Sequence, residues 1–143
     1  MTVLSFAHLN LRASRPDLDA LRDFYCEVVG LTLGPRPAFR SFGYWLYAGG
    51  QDVLHLSEAG PDEHPASSAG THFNHVSFRA TERAATEARL RAHGVAFRAA
   101  EVPGTGQGQL FFSDPCGNGV ELIFDPVASP SLNPSERPAH APG

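Results

Sequence analysis

His8, His55, His75 and Glu121 are residue types that hold first-row divalent ions, and they recur in pairs along the chain. The segment Phe6-Ala7-His8-Leu9-Asn10-Leu11-Arg12-Ala13 returns as Phe73-Asn74-His75-Val76-Ser77-Phe78-Arg79-Ala80, with Phe, His, Arg and Ala at matching places. Val53-Leu54-His55-Leu56 is answered in the same way by Gly119-Val120-Glu121-Leu122. An internal repeat of this kind makes each copy of the unit supply two donors at equivalent points. Three imidazoles and one carboxylate suit Zn, Ni, Fe, Co or Mn. One divalent ion is therefore the expected cofactor, and four protein donors in an octahedral shell leave room for water or a chelating substrate.

Alternation explains how the donors come to share a face. Side chains on a strand point to opposite sides in turn. One side of four strands then collects Leu9/Leu11, Leu54/Leu56, Val76/Phe78 and Val120/Leu122/Phe124, an apolar surface for helices. The other side collects His8/Asn10/Arg12, His55/Ser57, His75/Ser77/Arg79 and Glu121. If those faces converge, the four donors meet at one point, either within one chain or across a dimer. The remaining histidines fit the site less well. His72 falls on the opposite face from His75, His64 sits in a linker, His93 at a helix end where a cation suits the dipole, and His140 in the tail. Arg12 is a candidate clamp for an anionic substrate group. Of Trp45, Tyr47, Phe111 and Phe112, most belong to the core and one or two wall the pocket. Ser57 and Cys116 have no partner arrangement that would make a nucleophile.

The elements that must position these residues follow from spacing. A strand is expected over Phe6–Arg12, and a helix entered at Ser14–Asp17 with Pro16 near its start. Its stripe is Leu18, Leu21, Phe24/Tyr25 and Val28/Val29, and Gly30 is placed as a C-cap. Strands follow around Leu31–Gly34, Phe42–Ala48 and Asp52–Glu58, with Gly49-Gly50 as a tight turn. Residues 60–70 hold turn formers and read as a linker. The order then repeats: strand Thr71–Arg79, helix Thr81–His93 with Ala84, Ala88 and Leu90 inward, and strands Val95–Ala100, Gly108–Ser113 and Gly119–Phe124. This divides residues 1–125 into one domain of two modules, 4–59 and 71–125. Residues 126–143 form a Pro-rich polar tail without periodicity.

Composition sets the bounds. The chain has 143 residues and a net charge of −4, and a domain of this size buries about two-thirds of its unfolded surface. Its basic residues are scattered arginines with no lysine, which argues against a nucleic-acid footprint and excludes lysine Schiff-base chemistry. Cys26 and Cys116 are too few for a disulfide framework. No stretch resembles a signal peptide or reaches the roughly 18 apolar residues of a membrane span. A cytoplasmic protein without membrane or nucleic-acid partners is expected.

With the repeated βαβββ order and the His/His/His/Glu placement, the chain resembles the vicinal oxygen chelate superfamily over about residues 4–125. That group includes glyoxalase I, fosfomycin and bleomycin resistance proteins and extradiol dioxygenases. The motifs that carry the resemblance are F-A-H-L-N-L, V-L-H-L, N-H-V-S-F and D-P-C-G-N-G-V-E-L. It implies an α+β fold of two tandem βαβββ modules in a cupped, barrel-like mixed sheet, and a homodimer. It implies metal ligation by His8, His55, His75 and Glu121, with Glu121 and His55 as the catalytic pair. Arg12, Asn10 and Phe111 are the substrate-contacting candidates. Where the superfamily usually has a glutamate on the first module's last strand, this chain has His55, so proton transfer falls to Glu121. The implied activity is that of a lyase or isomerase that chelates a small substrate through two adjacent oxygens and stabilises enediolate-like charge. The alternatives are a ring-cleaving dioxygenase acting on a catechol and a protein that binds or sequesters an antibiotic.

Overall fold

Ser14 opens the first helix in the computed structural model, which describes residues 1–127. The Ser14 hydroxyl accepts from the Asp17 amide, and Pro16 sits in the first turn where no amide is missed. The elements run β1 (Leu9–Ala13), α1 (Arg15–Phe24), β2 (Thr32–Gly34), β3 (Gly43–Ala48) and β4 (Gln51–Glu58). The order then repeats as β5 (His75–Ala80), α2 (Arg83–Ala92), β6 (Arg98–Glu101), β7 (Gly108–Ser113) and β8 (Gly119–Phe124). The expected βαβββ order is thus present twice. Apart from Pro126 and Val127, the Pro-rich tail expected over 126–143 lies outside the described residues.

The strands form two four-stranded mixed sheets, ordered β1-β4-β3-β2 and β5-β8-β7-β6. In each, the first and last strands of the unit run parallel and the other neighbours antiparallel. The fold is α+β and glyoxalase-like, as the sequence implies. The barrel-like closure is not made: among the described residues no strand of one sheet pairs with the other, and β1 and β5 remain edge strands. Both edge strands also begin later than alternation suggests. Their parallel ladders start at Leu9 opposite Leu54 and at His75 opposite Gly119. Phe6 and Phe73, which precede them at repeat-equivalent places, stay exposed at 75% and 39%.

The apolar faces take the helices. Leu18, Leu21 and Phe24 of α1 are buried, and the chain continues through a π-helical turn, Tyr25–Val29, that also buries Tyr25, Val28 and Val29. Gly30 ends it with φ 100°, a conformation that favours glycine. Leu46, Leu54, Leu56, Leu110, Val120 and Leu122 are buried beneath, each worth about 1.5–3 kcal/mol relative to exposure. The inward face of α2 differs from the expected Ala84/Ala88 stripe: Thr86 and Leu90 are buried, and both alanines face solvent. Thr86 can be buried because its hydroxyl donates to the Glu82 carbonyl at 3.1 Å.

The two halves and the linker are tied together at three points. The Tyr25 hydroxyl donates to Asp114 and Arg89 Nε donates to the Val28 carbonyl at 2.9 Å, while a third point, Ser68, ties the linker to Asn118 and the Gly119 amide. Cys26 and Cys116 are free thiols. No helix among the described residues is long and apolar enough to cross a membrane.

Candidate metal centre

The ladder sets the first half of the site. Asn10, His55 and Trp45 lie opposite one another on β1, β4 and β3, so their side chains share one face. The His55 ring is 7% exposed and sandwiched between two others. Trp45 stacks on it at 4.0 Å and 6°, and His8 on the far side at 3.7 Å and 19°. His55 Nε2 lies 2.7 Å from Asp52 Oδ2. That hydrogen bond holds the Asp52 carboxyl below the usual carboxylate range. Donor atoms of His8, Asp52 and His55 all fall within 4.8 Å of one another. They sit at the wall of a cavity of about 420 Å³ that Trp45, Phe39 and Arg36 also line.

Asp52 is the donor that sequence reasoning missed. It stands three residues before His55, so strict alternation puts it on the opposite, apolar face. The ladder instead slips between Leu46 and Tyr47: Leu46 faces Leu54, but Tyr47 faces Asp52, leaving Val53 without a partner. A bulge of one residue turns everything before it over to the other side. No local residue pattern announces it.

The second half of the site lies on the other sheet. Glu121 is 5% exposed, opposite Phe111 and Ser77. Its Oε1 accepts from Gln109 Nε2 at 2.7 Å, and its Oε2 lies 3.0 Å from His75 Nε2. His75 Nδ1 is 2.7 Å from Asn74 Oδ1. Nε2 thus faces a carboxylate oxygen, an arrangement that either a shared proton or a metal ion between them satisfies. Phe111 meets His75 edge-on at 5.7 Å and carries Arg98 over its ring at 4.5 Å.

The four expected donors therefore stand as two pairs, one on each sheet. Among the described residues no group of three or more donors includes His75 or Glu121. Both half-sets fit a divalent ion by their chemistry. Imidazole and carboxylate donors are mixed in both, and in the second a further oxygen, Asn74 Oδ1, holds the other ring nitrogen of His75, as is usual for ligating histidines.

Arg12 does not line the cavity of the donor cluster, although its Nη1 donates at 3.3 Å to Ser57, which does. It lines a larger groove of about 1290 Å³, where its guanidinium is taken by Glu63 of the linker, with Nε to Oε2 at 2.7 Å. Arg12 holds the Glu63 carboxyl down at about 2. Asn10 lines both cavities and its Oδ1 accepts from Ser57 at 2.9 Å. Arg79 pairs with Asp125. His64 lines the larger groove, His72 is exposed, His93 caps α2, and His140 lies outside the described residues. Burial pushes the Cys116 thiol up to about 11, which leaves little thiolate for nucleophilic chemistry.

Comparison with known proteins agrees with this architecture. A glyoxalase family protein of Bacillus anthracis superposes with a TM-score of 0.68 at 18% identity, covering 87% of this chain and 98% of that one. TnmS3, an antibiotic binding protein from Streptomyces sp. CB03234, gives 0.61 at 25% identity, covering 87% and 99%. Lactoylglutathione lyase from Agrobacterium tumefaciens gives 0.60 at 24% identity, covering 84% and 92%. No curated protein matches the sequence. The sequence model of the glyoxalase/bleomycin resistance protein/dioxygenase superfamily matches residues 5–122, with both donor pairs inside that span. The chain belongs to that superfamily.

Proposed function

We propose that this protein is a divalent-metal enzyme, a lyase or isomerase that binds a small substrate through two adjacent oxygens. The observation that carries the reading is the pairing of imidazole with carboxylate on both sheets: His8 and His55 beside Asp52, and His75 beside Glu121. When bound, the ion supplies Lewis-acid stabilisation of negative charge developing on substrate oxygen.

The chain's own residues supply the rest. Glu121 is the proton carrier: it is buried, Gln109 donates to Oε1, and Oε2 is left to face His75. Phe111 and Trp45 stand at matching places opposite Glu121 and His55 and give each half-site an aromatic wall. Asn10 and Arg36 offer polar contacts beside the first.

The same reading makes the protein a homodimer in which the second copy brings its His75 and Glu121 to the first copy's His8 and His55. Two unpaired edge strands, β1 and β5, each preceded by an exposed phenylalanine, support it. The substrate-screening experiment uses metal-loaded protein, vicinal-oxygen candidates and product detection by mass spectrometry. Turnover abolished by Glu121→Gln supports the lyase or isomerase reading. Tight binding of an antibiotic without any product overturns it in favour of a sequestering protein, the reading that likeness to TnmS3 favours. Oxygen uptake with a catechol after Fe(II) loading overturns it in favour of a dioxygenase.

A further inference from the structure

We propose that Asp52 is itself a metal ligand, and that His8, Asp52 and His55 form a complete two-imidazole, one-carboxylate site within a single chain. The inference rests on the reading above that the protein holds a metal ion, but it assigns the ion to different donors. On this arrangement the first sheet loads its ion before any second copy arrives, and His75 and Glu121 complete the shell afterwards.

Three observations converge on it. The donor atoms are already within 4.8 Å of one another, and these three residues belong to one sheet and its approach segment. The bulge at Val53 is what turns Asp52 to this side, and bulges next to sites commonly re-aim one side chain. The second sheet makes no such move: β7 and β8 pair without a slip from Gly108 opposite Phe124 to Ser113 opposite Gly119. Its residue ahead of that ladder, Asn118, turns away to hydrogen-bond Asp114. Only in the first half, therefore, does a register slip turn a further carboxylate toward the imidazoles. Two histidines and one carboxylate are a sufficient set for a first-row divalent ion and leave positions open for further ligands.

Among the described residues the side-chain partner of Asp52 is His55, beside its own backbone amide. Its side chain is 40% exposed, and the contact that structure gives it is to His55 Nε2 at 2.7 Å. In a protein holding an ion, that nitrogen and that oxygen would both turn to the metal.

The test is Co(II) titration of the full chain, stripped with chelator, followed by visible absorption and calorimetry. Four proteins are compared: the parent, Asp52→Asn, the double variant His75→Ala/Glu121→Gln, and the triple variant that adds Asp52→Asn to the double. Circular dichroism checks that each is folded. The double variant should still bind one Co(II) per chain, and the triple variant should bind it more than about 100-fold more weakly, beyond the 10–100-fold expected of an outer-shell partner. Asp52→Asn alone should also shift the Co(II) visible bands, because a ligand has changed. Absence of binding by the double variant, equal affinity of double and triple, or unaltered bands in Asp52→Asn would each overturn the assignment. Equal affinity of parent and double variant would instead sink the shared four-donor reading while leaving this one standing.

Discussion

The Tyr25 hydroxyl donates to Asp114 Oδ2 at 2.8 Å, a buried bond that joins the π-helical turn of the first half to the last hairpin of the second. Asp114 also accepts from the Cys116 and Asn118 amides and from the Asn118 side chain. Burial and the neighbouring Asp114 charge push the Tyr25 phenol far up, so it stays a donor at any working pH. Tyr25→Phe leaves a buried carboxylate short of one donor. It should cost about 1.5–3 kcal/mol, the range for a hydrogen bond to a charged group, read from urea unfolding. Asp114→Ala should cost more, because two backbone amides lose their acceptor as well.

Mixing two inactive proteins tests the sharing of the site between copies. His55→Ala damages the first half-set and Glu121→Gln the second. If each site draws on two copies, dimers with one chain of each kind carry one undamaged site. Co-refolding the two variants should then restore part of the parent's metal-dependent turnover. Activity that stays at the level of the separate variants would place the whole site in one chain.

Acid should release the linker late. The Arg12 hydrogen bonds hold the Glu63 carboxyl at about 2. A folded value below the unfolded one means the pair's contribution is fully present above the ordinary carboxylate range. It is lost as pH falls through about 2. Carbon NMR titration of the Glu63 carboxyl should show that low midpoint, and Arg12→Ala should raise it toward the ordinary glutamate range, with the Gly60 backbone hydrogen bond still holding it somewhat down. An ordinary midpoint in the parent would mean the pair does not form in solution.

Gly119 holds β8 close to the chain entering β5. A Cβ there would lie 2.3 Å from the Asn74 carbonyl oxygen and 3.0 Å from the His75 Cβ. Gly119→Ala should therefore destabilise the fold by about 1–3 kcal/mol through overpacking. It should also weaken metal binding without altering a donor, because His75 lies directly opposite. Thermal unfolding and Co(II) affinity should fall together; unaltered affinity would show that His75 tolerates the shift.

Element order was readable because duplication printed it twice, and the glycine turn at Gly49-Gly50 was readable because both residues take positive φ. His8, His55, His75 and Glu121 could be picked out as donors because imidazole and carboxylate at repeat-equivalent strand positions have few other uses. Asp52 could not, since its facing depends on a slip in hydrogen-bond register. Nor could the Arg12–Glu63 pair, which depends on how an irregular linker folds back. Burial of Thr86 in place of Ala84 and Ala88 follows from which side of α2 meets the neighbouring half, something periodicity in so alanine-rich a helix leaves undecided. The separation of the two sheets is also invisible to local pattern, because alternation says which face a residue takes but not which other face it meets.

Val53 gives the first half of the molecule a property that no side-chain substitution encodes. Were Val53 drawn into regular pairing instead, the neighbouring aspartate would return to the side of Leu54 and Leu56, with every donor type still present in the chain. The facing of Asp52 is thus set by hydrogen-bond register and not by residue type.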